Sequence, residues 1–314
     1  MTVESSPIRH SGPGWQFLVR YESPSALLDE TSITAVLAAA LAEDLGDGDI
    51  STTWTAPHSS QGHAVLVAKS SGCVAGVTIA SRVFQLIDPA TELIWACEDG
   101  TQVEPTAAVA ELGGSTAALL SGERVFVNLV QRISGIATET QRLCDAVKHT
   151  GTRILDTRKT APGLRLLDKY AVRVGGGLSH RTGLYDMVLL KENHIAAVGS
   201  IAAALARAQQ RRSEAGRIST PIGVEVSDNK QLGYALEAGA DWILLDNMSV
   251  EAAGAAMESV LASAGSENRP VIEVSGNVDS RNVVTYAESG VDVISIGALT
   301  HSAPAMDFSM RLSS

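Results

Sequence analysis

Apolar and polar positions follow two different rhythms along this chain, and the change comes near residue 150. Upstream, Ile33, Val36, Leu37, Ala40 and Leu41 recur at helical spacing and predict a helix over 25–45, with Ser32 and Thr34 as candidate caps. A polar, glycine-bearing turn over 44–53 follows it. Short apolar runs at 64–68, 73–77, 93–95 and 107–112, separated by turn pairs such as Ser71-Gly72 and Asp99-Gly100, then predict strands. One helix over 79–86 interrupts them. A longer one over 121–137 closes the half, with Ser121 as cap and Glu123 in its first turn.

Downstream the runs become strictly repetitive. Apolar segments at 153–157, 187–191, 222–226, 242–246, 271–275 and 293–297 each end in polar residues and lead into a helical stretch. Helices are expected over 197–215, over 227–239, from Ser249, and over 279–290. Strand alternating with helix implies a parallel sheet with right-handed crossovers. Six such units suggest an α/β barrel short of the usual eight, and periodicity leaves a doubly wound open sheet as the second architecture. A last strand over 306–312 is placed to return to the first sheet.

Composition narrows the class. A chain of 314 residues with 45% hydrophobic content has enough apolar surface for two real cores. It has no stretch apolar enough to span a bilayer. The first 24 residues hold no apolar run of secretory-signal type, so a cytoplasmic enzyme is expected, without a membrane partner. Cys73, Cys97 and Cys144 lie far apart with no CxxC pair, which argues against a disulfide framework or a zinc site. A net charge of −11 argues against nucleic acid as partner. Against that background, residues 153–194 carry eight Lys and Arg and four acids, the signature of a focused anion site.

Barrel enzymes act at the carboxyl ends of their strands. Here those ends read Thr157-Arg158-Lys159, Lys191-Glu192-Asn193-His194, Glu225, Asp246-Asn247, Ser275-Gly276-Asn277 and Gly297-Ala298, with His301 shortly after. Turn and cap roles explain Asn247 well. They explain Glu225 and Lys191 poorly, because a charge inside or ending an apolar run is costly unless paired or bound to ligand. Arg158, Lys159, His180, Arg181 and Lys191 offer donors for carboxylates. Glu225 and Asp246 suit sugar hydroxyls or magnesium. The Ser275-Gly276-Asn277 and Gly297-Ala298 loops offer accessible backbone N–H groups to phosphate. Together they fit a small polyanion plus a phosphorylated sugar.

The runs Asp156-Thr157-Arg158-Lys159-Thr160, Pro162-Gly163-Leu164-Arg165, Lys169-Tyr170-Ala171-Val172, Gly175-Gly176-Gly177, His180-Arg181 and Leu190-Lys191-Glu192-Asn193-His194 resemble the quinolinate phosphoribosyltransferases. So do Gly122-Glu123-Arg124, Ser134-Gly135-Ile136-Ala137-Thr138, Leu245-Asp246-Asn247-Met248, Glu273 with Ser275-Gly276, and Gly297-Ala298-Leu299-Thr300-His301. The likeness covers roughly residues 27 to 312. It implies an α/β fold in which an N-terminal α/β sandwich domain (25–135, with 304–314 returning to it) joins an incomplete, six- or seven-stranded α/β barrel (136–303). A flexible leader, 1–24, precedes both and has no placed counterpart.

The resemblance also implies a reaction: phosphoribose passes from phosphoribosyl pyrophosphate to quinolinate with loss of CO2, giving nicotinate mononucleotide for NAD biosynthesis. It implies Mg2+ as cofactor, held by Glu225 and Asp246 directly or through water. It implies a homodimer or dimer-based hexamer with shared sites. By motif, Arg124 (from the neighbour), Thr157, Arg158, His180, Arg181 and Lys191 bind quinolinate. Lys159, Glu192, Asn193, His194, Glu225, Asp246, Ser275, Gly276, Asn277, Ile296, Gly297, Ala298 and His301 bind the phosphoribosyl donor. Lys159, Lys191, Glu225 and Asp246 carry the catalysis. Arg165 and Lys169 are divided between site and helix-face roles, with Lys169 favouring the helix face.

Two positions depart from the family pattern: Asn277 stands where a second glycine is usual, and Val274 where alanine is common. Asparagine tolerates left-handed backbone angles, so the loop is expected to survive. The competing functions are a related transferase acting on another substrate, and a non-catalytic anion-binding protein. The Lys191-Glu192-Asn193-His194 run argues against the first, and the carboxylates Glu225 and Asp246 against the second.

Overall fold

A computed structural model describes residues 12–21, 23–57, 60–264 and 269–313. The chain divides into two compact units, one of residues 1–22, 143–158 and 178–298, the other of residues 23–142, 159–177 and 299–314. The expected leader falls partly on residues 1–11 and 22, which lie outside the described residues.

The second unit is built on a four-stranded antiparallel sheet and a separate two-stranded one. Its strands are β1 (Gln61–Ala68), β2 (Gly72–Cys73), β3 (Glu92–Trp95), β4 (Gln102–Val103) and β5 (Ala108–Ser115). β1 pairs with β5, β5 with β3, and β2 with β4. The C-terminal strand Phe308–Ser313 pairs antiparallel with β1, so the end of the chain joins the first sheet. Alternate residues Ala64, Leu66 and Ala68 of β1 are buried, the signature of a strand with one covered face. The helix Glu30–Leu45 buries Ile33, Leu37 and Leu41, and Asp29 caps it by accepting the Ser32 N–H at 2.8 Å. Asp29 therefore takes the role expected of Ser32 or Thr34. Of the expected 73–77 strand only Cys73 pairs, joined by Gly72 from the expected turn, because a helix starts at Val77. Asp99 caps that helix by accepting the Gly76 and Val77 N–H groups at 2.7 and 3.0 Å.

The first unit carries six parallel strands: β6 (Arg153–Leu155), β7 (Val188–Leu190), β8 (Ile222–Val226), β9 (Trp242–Asp246), β10 (Val271–Ser275) and β11 (Val293–Ser295). Their spatial order is β6-β11-β10-β9-β8-β7. That order is chain order around a ring with a single break, between β6 and β7. Leu178 makes a parallel bridge to Leu155 on the open edge of β6, a fragment of a seventh strand.

Residues paired across a parallel sheet share a face. Trp242 is level with Gly223 and Val271, Leu244 with Glu225 and Glu273, and Asp246 with Ser275. Trp242, Leu244, Val271 and Val293 belong to one buried core, so Glu225, Glu273, Asp246 and Ser275 lie on the core side of the sheet. The same core contains Trp15, Phe17 and Leu18 from the helix Pro13–Leu18. They pack with Leu155 and Leu178 from one unjoined edge and Met187 and Leu189 from the other. The Trp15 indole donates to the Arg269 carbonyl at 3.0 Å, and Phe17 meets Trp242 edge-on at 6.3 Å. Residues 12–18 are thus a structural part of this unit and not the flexible leader the sequence suggested.

Among the described residues no helix is long and apolar enough to cross a membrane. Burial pushes the Cys73 thiol up to about 12, with Asp99 adding to the effect, and burial pushes Cys144 up to about 12. Both are inert thiols in the packed protein.

Candidate functional site

In the strand-bearing unit the carboxyl ends deliver their polar groups to one rim. Thr157 and Arg158 follow β6, Lys191 follows β7, Glu225 is the penultimate residue of β8, and Asp246 and Ser275 end β9 and β10. Gly297 and Ala298 follow β11, with Ile296 buried beneath them. Asp246 and Ser275 are level in the ladder, and so are Ser275 and Ser295.

Lys191 caps the helix Glu192–Val198, and its backbone N–H donates to the His194 ring at 3.0 Å. Its ammonium forms an ion pair with Glu225. The Lys191 side chain is 47% exposed, so the pair is open to exchange with an incoming anion. Glu192, Asn193 and His194 are exposed in the first turn of the same helix.

The cationic centre is deeper. Arg181 is 7% exposed, and its guanidinium donates to the Met187 carbonyl at 3.4 Å. Burial and the nearby Arg158 pull its pKa below the usual arginine value, while Asp186, Glu225 and Glu273 act against that. Arg181 is thus a poorly solvated guanidinium within electrostatic reach of a second one, Arg158, an arrangement that gains from a polyanionic ligand.

His180 ties this cluster to the sheet. Its backbone N–H donates to Asp156 Oδ1 at 2.9 Å. The Arg181 N–H donates to His180 Nδ1 at 2.6 Å. Since an amide can only donate there, Nε2 carries the ring proton and donates to Glu273 Oε2 at 3.1 Å. The same oxygen accepts the Trp242 indole N–H at 2.6 Å. Glu273 is fully buried, which alone would raise its pKa, yet His180, Ser295 and Trp242 hold it below the ordinary glutamate value. It is a carboxylate buried under the arginines. His180, expected to contact quinolinate, has both ring nitrogens engaged by the protein.

In the Ser275-Gly276-Asn277 loop, the residue standing where a second glycine is usual adopts a glycine-like backbone. Asn277 has φ 52° and Asn247 φ 54°, both left-handed. Asn277 Nδ2 donates to Asn247 Oδ1 at 3.0 Å, and Asn282 Nδ2 donates to the Asn277 carbonyl at 3.0 Å. Gly276 has φ 97°, and a Cβ there would collide with the Asn247 amide. Val274 is buried in the core and points no bulk at the loop's solvent side.

Three expected residues lie in the other unit. Arg124 is exposed on the helix Thr116–Val147. Lys159 is exposed, and its carbonyl accepts the Thr300 hydroxyl at 2.9 Å. His301 is exposed and bonds Ser302 at 2.6 Å. Lys169 lies on the helix Arg165–Val174 and is fully buried, beside Asp168, whose carboxylate takes a two-pronged contact from Arg132 at 2.9 and 2.8 Å. The buried carboxylate Glu273 is the chemical group that sequence reasoning undervalued. It lies in an apolar strand just as Glu225 does, so the same argument applied to it.

Magnesium chemistry can be tested against the donors present. Among the described residues no three His, Cys, Asp or Glu side chains cluster as a metal cage. Glu225 and Asp246 are two partly exposed carboxylates on neighbouring strands. That set fits Mg2+, which commonly takes one or two carboxylates and completes its shell with water and substrate phosphate.

Comparison with known proteins gives the same picture twice over. Residues 49–134 match the model for the quinolinate phosphoribosyl transferase N-terminal domain, and residues 136–311 match that for the C-terminal domain. A Bacillus subtilis protein named probable nicotinate-nucleotide pyrophosphorylase [carboxylating] is 42% identical over 268 residues, covering 85% of this chain and 89% of its own. The solved nicotinate-nucleotide pyrophosphorylase from Francisella tularensis superposes with a TM-score of 0.84 at 35% identity, over 91% of this chain and 98% of that one. NadC from Streptococcus pyogenes gives a TM-score of 0.84 at 40% identity with the same coverage.

Proposed function

The chain belongs to the quinolinate phosphoribosyltransferase family, and from that premise we propose how its residues divide the work. The enzyme is a decarboxylating pentosyltransferase of NAD biosynthesis: quinolinate and phosphoribosyl pyrophosphate become nicotinate mononucleotide, pyrophosphate and CO2.

Arg158, Arg181 and Lys191 hold the two carboxylates of quinolinate, with Thr157 beside them and Arg124 supplied by the neighbouring subunit of a homodimer or dimer-based hexamer. The observation that carries this reading is the buried Arg181, which feels the charges of both Arg158 and Glu225, with Glu225 held in an exchangeable ion pair by the half-exposed Lys191. His180 acts on this subsite through Arg181, whose N–H it accepts. Glu225 and Asp246 serve the ribose and hold Mg2+, directly or through water. Ser275, Gly276, Asn277, Ile296, Gly297 and Ala298 receive the phosphates with Lys159 and His301, while Glu192, Asn193 and His194 border the sugar. A cytoplasmic location belongs to the same proposal.

The chemistry follows from these charges. The pyridine nitrogen attacks the anomeric carbon as the bond to pyrophosphate breaks. Positive charge grows on the sugar, where Glu225 and Asp246 face it, and negative charge grows on the leaving group, where Lys159 and the loop N–H groups face it. Bound magnesium would add further stabilisation of the departing phosphates. The alkylated ring nitrogen then accepts the electron pair released as the 2-carboxylate leaves as CO2, so no separate electron sink is required. Two polyanions repel in water, and the arginines and lysine make their alignment possible.

Lys191→Ala tests the assignment. It is expected to lower kcat/KM for quinolinate by about 2–4 kcal/mol of transition-state stabilisation, the cost of a lost positioned charge. Undiminished efficiency would remove Lys191 from the site.

A further inference from the structure

The segment ahead of residue 49 lies outside both family models. Part of it nevertheless reaches the turn that carries Arg181. The helix Pro13–Leu18 is anchored by Trp15, Phe17 and Leu18 in the core of the strand-bearing unit. Just beyond its end, the Arg20 guanidinium sits 3.4 Å from the Phe17 ring centroid and 4.6 Å from that of Tyr21. Its Nη1 donates to the Phe17 carbonyl at 2.7 Å and the Ser179 carbonyl at 3.1 Å. Its Nη2 donates to the His180 carbonyl at 3.0 Å and meets Asp186 at 3.5 Å. Asp186 in turn accepts the Thr182 and Gly183 N–H groups at 2.7 and 3.2 Å.

The backbone on both sides of Arg181 is therefore braced: two consecutive carbonyls before it by Arg20, two consecutive N–H groups after it by Asp186. A planar fork is suited to that task, because it reaches two acceptors at once from a fixed frame, which a lysine point charge does not. A ligand-binding side chain is useful only if its support holds it to within about half an ångström. We propose that Arg20 is a positioning residue for the quinolinate subsite, and that residues 12–21 form a working part of that subsite. The inference rests on the reading of Arg181 as a carboxylate ligand.

Steady-state kinetics of the full chain, varying each substrate in turn, test it. Arg20→Ala raises the quinolinate KM about tenfold and leaves that of phosphoribosyl pyrophosphate within about twofold, as expected for loss of charged hydrogen bonds behind one subsite only. Arg20→Lys behaves like Arg20→Ala, since the charge returns without the fork. An unchanged quinolinate KM, an equal rise in both KM values, or full rescue by lysine would overturn the proposal. Should Arg20→Ala fail to fold, hydrogen exchange on the unaltered protein decides: quinolinate alone slows exchange in the peptide containing Val19–Tyr21, and no slowing overturns it. Arg181→Ala separates the two levels. If it impairs quinolinate use while Arg20→Ala does not, only the positioning role fails. If neither matters, the reading of the subsite itself fails.

Discussion

At the scale of single residues, the site is organised by charges that an apolar strand would not carry without a reason. Glu225 and Glu273 occupy equivalent levels of β8 and β10, the two strands that flank β9, and each is paired with Leu244 of β9. One meets Lys191 at the rim, and the other meets His180 and Trp242 in the interior. Glu273→Leu is expected to destabilise the protein by about 3–5 kcal/mol, because it strands two buried donors and removes the counter-charge beneath the arginines. Glu273→Gln should lose less, since its carbonyl oxygen still accepts from both donors. Chemical denaturation orders the three proteins, and a leucine variant as stable as the parent would contradict the account. Glu225 was legible in the sequence as a charge inside an apolar run. The role of His180 was not, because it depends on partners 93 residues away at Glu273 and next door at Arg181.

Elements show where pattern suffices and where it stops. The runs 222–226, 242–246 and 271–275 are strands over the expected residues, because strands flanked on both sides by partners are apolar throughout. The runs 153–157 and 293–297 stop pairing at Leu155 and Ser295, and the residues left over form the turns at the carboxyl rim. The expected helix 197–215 is two helices, broken where Gly199 takes φ 105° and Ser200 caps the second. Only the helix-face reading of Arg165 and Lys169 anticipated the helix Arg165–Val174, in which four of ten residues are charged and the buried face includes Asp168 and Lys169.

The N-terminal helix escaped for a related reason: its three large apolar residues make too short a pattern, and their partners, such as Trp242 and Val271, lie more than two hundred residues downstream. Trp15→Ala should therefore cost about 3–5 kcal/mol, as for a large aromatic removed from a core. A flexible leader would lose nothing, so a thermal melt of this variant distinguishes the two descriptions.

On the scale of the whole molecule, the chain combines an antiparallel sheet unit and a six-stranded parallel unit, and the residues expected to bind ligand come from both. Arg158, Arg181, Glu225, Asp246 and the loops after β10 and β11 lie in the parallel unit. Lys159, His301 and Arg124 lie in the other. This division was legible in the change of rhythm near residue 150, whereas the interleaving of short segments between units was not, because it follows from tertiary contacts and leaves no periodic trace.

Selection for a dicarboxylate is the central claim. Its most direct test mixes the purified protein with phosphoribosyl pyrophosphate, Mg2+ and either quinolinate or nicotinate, and follows mononucleotide and CO2. The account predicts nicotinate mononucleotide with one CO2 per turnover from quinolinate, and no product from nicotinate, which lacks the 2-carboxylate that the cationic centre is built to hold. Equal product from nicotinate, or quinolinate bound and never converted, would contradict it.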